Sequence, residues 1–211
     1  MNRFFVTVGL AVAGVSAHAA IVNASFENPA QLSGSFTQIT PPGWVSDGIA
    51  GVWRYNTGSL HFAVTPPDGS QVGYLNARVL AQTTTTVLEQ GITTLLWFSG
   101  RRFDSLEGVS QVELWAGGSL SSTGAMTGGS LLNSRVIAVA DVTKGAWKEF
   151  SFNYTAGAND PNLGKNLTIR FVKTSGGQID FDHVRLNTVP EPATFLAIGL
   201  GVVALAARRR R

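Results

Sequence analysis

The 211-residue chain contains no cysteine, so no disulfide, thiolate nucleophile or cysteine-ligated zinc is open to it. Histidine is nearly as scarce, at His18, His61 and His183, which leaves little for an imidazole-based metal centre or general base. There is no G-x-S-x-G nucleophile elbow. Gly34, Gly43 and Gly48 lack the strand-to-helix context of a phosphate-binding loop, which argues against nucleotide chemistry. Between its two ends the chain shows no window with apolar residues at helical spacing.

What it has in abundance is addressing. The last residues, 189–211, read VPEPATFLAIGLGVVALAARRRR. Pro190 and Pro192 fix φ and remove two backbone donors, holding Glu191 in an extended segment. The apolar run from Ala193 to Ala207 would span about 22 Å as a helix, a short match for a hydrocarbon core of roughly 30 Å. Arg208, Arg209, Arg210 and Arg211 then hold the end on the cytoplasmic side. This order of parts resembles the PEP-CTERM sorting signal of Gram-negative bacteria. The resemblance implies cutting near Pro190 to Pro192 by an exosortase, after a transient stay in the inner membrane, with the upstream domain sent to the cell surface or beyond.

The other end agrees. Residues 1–19 combine Arg3, an apolar stretch from Phe4 to Val15, and Ala17-His18-Ala19, the pattern of a secretory signal peptide. Removing both tails leaves eleven basic and twelve acidic residues, so the net charge of +3 becomes −1. The basic balance therefore belongs to the signals, and no nucleic-acid partner follows from it.

The remaining 20–188 is long enough for one domain. Short runs rich in Val, Ile, Leu, Phe, Tyr and Trp recur between clusters of Gly, Pro, Ser and Asn. They predict strands over residues 21–26, 51–55, 71–76, 83–89, 93–102, 110–116, 131–140, 147–154, 166–173 and 178–186. That pattern points to an all-β, two-sheet β-sandwich of the jelly-roll kind. Alternation places Val112 and Leu114 on one face, and likewise Leu167, Ile169 and Phe171.

Five stretches, IVNASFENP from Ile21, PPGW from Pro41, DGSQVGYLN from Asp68, VELWAGG from Val112 and IDFDHVRL from Ile179, resemble the galactose-binding-like, carbohydrate-binding-module type of jelly roll. The framework is also similar to the calcium-dependent Stig cyclases, which rearrange and cyclise indole isonitrile terpenoids. The shared motifs are mostly core and turn positions, which identify a fold better than an activity.

The chemistry concentrates in the final strand. If Val184 and Leu186 face the core, a period of two puts Asp182 and Asp180 on that inward face. Two inward carboxylates need neutralising. A structural calcium would do so, with Asp182 and Glu27 as ligands and further oxygens around Asn23 and Asn28. The alternative is that Asp182 caps loop amides or pairs with an arginine. Trp44, Trp53 and Tyr55, in the loop-rich first third, offer ring faces for a sugar, with His61 beside them as a hydrogen-bonding group. The alternative there is that they plug the open end of the sandwich.

Two readings of function result. The sorting tail favours a non-enzymatic surface or matrix module that binds an extracellular polysaccharide. The other is an enzyme of Stig-cyclase type, in which Asp180 or Asp182 acts as general acid. Calcium ligation lowers a carboxyl pKa and an acid role needs it raised, so one aspartate cannot serve both.

Overall fold

The computed structural model describes residues 17–18, 21–58, 60–104 and 108–190. The signal peptide, apart from residues 17 and 18, and the sorting tail beyond Pro190 lie outside them. Among the described residues no helix is long and apolar enough to cross a membrane.

The strands, in chain order, are β1 Ala17–His18, β2 Val45–Ser46, β3 Ala50–Trp53, β4 Val72–Leu75, β5 Val79–Val87, β6 Gly91–Arg101, β7 Val109–Ala116, β8 Ser119–Leu120, β9 Met126–Thr127, β10 Ser130–Ile137, β11 Ala146–Ala156, β12 Asn166–Ser175 and β13 Ile179–Pro190. One antiparallel sheet runs β11-β6-β13-β4-β3, with β1 paired to β13; the second runs β10-β7-β12-β5-β2. The two face each other as a sandwich, and β8 and β9 form a small separate hairpin.

Alternation builds the core as expected wherever a strand is regular. Val112, Leu114 and Ala116 of β7 are fully buried, as are Leu167 and Ile169 of β12. Leu95 and Trp97 of β6 meet them from the other sheet. At the centre Phe171 stacks on Phe181 at 4.5 Å, Phe26 sets its edge against Phe181 at 5.1 Å, and Trp44 closes the group at 5.4 Å from Phe26. Burying each such ring contributes roughly 1.5–3 kcal/mol. Gly73 makes the packing possible, since a Cβ there would lie 2.4 Å from the Phe181 ring.

Two expectations need correction. Residues 21–26 are not a strand but a series of turns. Asn23 and Phe26 take φ of 53° and 55°, and the Asn23 side chain both accepts from the Asn28 amide and donates to its carbonyl. Those local bonds replace a ladder, although the segment still runs beside the last strand, where Val184 N donates to the Ala24 carbonyl.

The second correction concerns the face of the aspartates. The ladder between β13 and β6 shifts register between Asp182 and Arg185, and His183 sits at φ 49°. This is a β-bulge, and it resets the period of two. Phe181 and Val184 therefore both point into the core. Asp180 and Asp182 lie instead on the outer face of their sheet, yet are only 2% and 0% exposed. They are covered because that outer face carries an apolar cluster of its own, made of Trp53, Tyr55, Phe62, Val72 and Tyr74 with Trp147 packed against it.

Candidate functional site

The outer face is built in cross-strand rows. One row joins Gly51, Tyr74, Asp180, Gly100 and Trp147 across β3, β4, β13, β6 and β11. Two of its members are glycine because their neighbours need the space. A Cβ on Gly100 would lie 2.7 Å from the Trp147 ring, and one on Gly51 would lie 1.7 Å from the Thr37 carbonyl oxygen. Trp147 thus lies over the β6 backbone, stacks on Phe62 at 4.8 Å and donates through Nε1 to the Tyr55 hydroxyl at 3.0 Å. Tyr74 donates its hydroxyl to the Thr37 carbonyl at 2.8 Å.

At the end of this face a cleft of about 300 Å³ opens between Phe36, Trp53, His61, Tyr74, Arg102 and Gln178, with Gly34, Gln38 and Asn76 completing its lining. The segment that carries Phe36 is tied to β3 by the Phe36 and Trp53 bridge, and Phe36 sets its edge to the Tyr74 ring at 6.3 Å. Arg102 lays its guanidinium 4.7 Å above the Trp53 ring and donates twice to Asp104, at 2.9 and 2.7 Å. His61 Nδ1 lies 3.0 Å from the same carboxylate and 4.7 Å, ring to ring, from Trp53. The Arg102 hydrogen bonds, with a smaller contribution from His61, hold the Asp104 carboxyl at about 2. Asp180 is bonded to the lining of this cleft rather than part of it. Its Oδ1 accepts from Gln178 Nε2 at 2.6 Å, and burial, with Asp180 nearby, raises the Tyr74 hydroxyl above its ordinary range.

A second group of acids gathers about the loop before β4. Glu27 Oε1 accepts from the amides of Ser70 and Gln71, both at 2.8 Å. Asp182 accepts from the Asp68 amide at 2.9 Å and the His183 amide at 2.7 Å. Ser25 Oγ donates to the Asp68 carboxylate at 2.7 Å. Burial, with Asp68 and Glu27 adding repulsion, pushes the Asp182 carboxyl up to about 8. Among the described residues no three or more His, Cys, Asp or Glu side chains are gathered closely enough to hold a metal. The donors are all hard oxygens, as calcium prefers.

The candidates read from the sequence therefore separate into three places. Trp53 and His61 line the cleft, and Tyr55 lies behind it, 4% exposed, donating to the Val64 carbonyl. Trp44 is not on the cleft. Its loop tucks it between the sheets, where Nε1 donates to the Val22 carbonyl at 3.1 Å. Glu27 and Asp182 come to the same loop, while Asn23 and Asn28 bond to each other. Pro190 ends β13, and Glu191, Pro192 and the arginines lie outside the described residues. Sequence reasoning passed over Phe36, Tyr74, Arg102, Gln178 and Asp68. For Asp68 and Tyr74 the signal was present, since both belong to the DGSQVGYLN stretch.

Comparison with known proteins places these features. Residues 17–187 match the HpiC1-like family, described as HpiC1 cyclase, and residues 188–211 match the PEP-CTERM protein-sorting motif. No curated protein matches the chain. Among solved structures, the Stig cyclase Fisc from Fischerella sp. TAU, in complex with (3Z)-3-(1-methyl-2-pyrrolidinylidene)-3H-indole, is 25% identical over 83% of this chain and 99% of that one, with a TM-score of 0.69. A cyclase from Fischerella sp. TAU in complex with 4-(1H-indol-3-yl)butan-2-one is 24% identical over 83% and 99%, with a TM-score of 0.68. The CBM22-1 xylan-binding domain of Paenibacillus barcinonensis Xyn10C is 14% identical over 86% and 99%, at a TM-score of 0.49, a likeness too slight to argue from. The tail marks an exported, sorted protein, and the domain it carries, a jelly roll with a cleft on its outer face, belongs to the HpiC1-like cyclase family.

Proposed function

We propose that the outer-face cleft is the ligand site of an exported cyclase-type protein. It takes a small molecule with a flat aromatic ring, and Asp180, bonded to Gln178 of its wall, moves a proton there. The observation that carries this reading is the placement of Asp180. It is a carboxyl 2% exposed, in the same cross-strand row as Tyr74 and hydrogen-bonded to cleft-lining Gln178. A carboxyl held away from water among aromatic rings is the arrangement that general acids use. Solved structures of related cyclases hold indole compounds, and a ring of that size suits a cleft of about 300 Å³ walled by Phe36, Trp53 and Tyr74.

A structural calcium accompanies this reading. Glu27 and Asp182, with backbone carbonyls of the turn at residues 23–28, are the residues that would hold it, and it would supply the positive charge that a fully buried Asp182 needs. That assignment leaves Asp180 for proton transfer and resolves the competition between the two roles.

The polar part of the cleft lining, Gln38, Asn76, Arg102 and Gln178, favours a second reading. Those groups suit the hydroxyls of a glycan, and the protein would then be a binding module of the extracellular polysaccharide layer.

Calorimetric titration of the domain with 4-(1H-indol-3-yl)butan-2-one tests the first reading. Binding that Trp53→Ala weakens about tenfold, the scale of one lost aromatic contact, supports it. Absence of binding to indole compounds, together with a hit on a glycan array that Trp53→Ala removes, replaces it with the second.

A further inference from the structure

The sorting motif does not hang from the domain on a linker. It starts inside the sheet. In β13, Thr188, Val189 and Pro190 pair with Thr93, Ile92 and Gly91 of β6. Only Glu191 and Pro192 separate the last paired residue from the apolar run that begins at Ala193, a reach of about 10 Å even when fully extended. Enzymes that cut a chain near such a motif grip several residues on each side as an extended segment whose backbone groups they bind themselves. Here the residues on the upstream side already give those groups to β6.

We propose that the end of β13 is a gate on C-terminal processing. Residues 187–190 must peel away from β6 before a membrane transpeptidase can seat the Pro-Glu-Pro segment, so the fraying of this strand end limits the rate of cutting. The inference rests on the reading of the tail as a substrate for an exosortase. Its composition suits the task. Pro190 has no backbone N–H, which weakens the ladder at its last rung. Thr188 and Thr93 are buried, but Val189 and Ile92 beyond them are 49% and 43% exposed, so little burial holds the last rungs down, and strand ends of that kind open at low free energy. The rest of β13 stays anchored through Val184 and Leu186 in the core.

The absence of cysteine makes a clean test possible. Ile92 and Val189 are direct cross-strand partners, so Ile92→Cys with Val189→Cys places one removable cross-link across the gate. The full-length chain is produced in a Gram-negative host that carries an exosortase, and intact mass reports cross-link formation and loss of residues beyond the motif. The cross-linked chain should keep its tail, with processing slowed about tenfold or more, as expected when local opening is suppressed. Each single variant, and the double variant with a reductant present, should be processed as the unmodified chain is. A flexible six-residue Gly-Ser insertion between Val189 and Pro190 should restore cutting in the cross-linked chain by moving the motif off the sheet. Processing of the cross-linked chain at the unmodified rate overturns the gate, and so does failure of the insertion to rescue it. If the unmodified chain itself keeps Arg208 to Arg211, the reading of the tail as an exosortase substrate fails, and the gate falls with it.

Discussion

Single residues show where the sequence speaks and where it falls silent. Val112, Leu114, Leu167, Ile169 and Phe171 were legible as core because each lies in a strand with neighbours on both sides, where a period of two is enforced. Trp44 was not, because a loop residue after a Pro-Pro-Gly turn has no periodicity to reveal that it points between the sheets. Arg102 was equally hidden, since it follows a strand and meets Trp53 only through the fold, and Gln178, although two residues from Asp180, reaches the cleft only through the sheet order. Gly100 gives a sharp prediction: Gly100→Ala sets a methyl 2.7 Å from the Trp147 ring and should destabilise the domain by about 1–3 kcal/mol, as overpacking does. Urea unfolding read by tryptophan fluorescence measures it. Asp104 gives another. Its folded carboxyl, at about 2, lies below the unfolded value of about 3.9. The stabilisation is thus complete above the unfolded value and is lost as pH falls through about 2. An NMR titration of the Asp104 carboxyl carbon should find its midpoint near 2, and Arg102→Ala should raise that midpoint, since Arg102 is the main cause.

At the scale of the element, β13 carries most of the meaning. Alternation counted back from Val184 placed both aspartates inward, and the bulge at His183 overturned that count by one residue. Nothing in IDFDHVRL marks a bulge, because His183 is not glycine; its left-handed backbone is held by the bond from its own amide to the neighbouring Asp182 side chain and by the Phe98 ring stacked 6.0 Å away. Left-handed backbone costs a non-glycine residue roughly 1 kcal/mol, and a β-branched residue more. His183→Gly should therefore leave stability within about 1 kcal/mol of the parent, whereas His183→Val should lower it by more than that. Chemical denaturation of the two variants compares them, and equal stability would remove the bulge from the account of how Asp182 is placed.

For the whole molecule, the proposed ion joins the turn at residues 23–28 and the last strand, so its effect should be global. Calcium at about a hundred times Kd adds roughly 2.7 kcal/mol to a folded state that alone binds it, and chelation should lower Tm by several degrees. Asp182→Asn should remove most of that response, and identical melting in EDTA and in millimolar calcium would rule the ion out. The two-sheet architecture was legible from composition and punctuation alone, but the cleft was not, because its walls come from six separate segments that only the fold brings together. The sheet order also sets the cleft apart from the chain's C-terminal end. Residues 91 and 190 pair at one end of the long β6 and β13 ladder, while Arg102 and Gln178 flank the cleft just past the other, roughly 35 Å away at about 3.4 Å per residue. Were the molecule fixed by its C-terminal end, the cleft would stand at the far end of the ladder from its attachment.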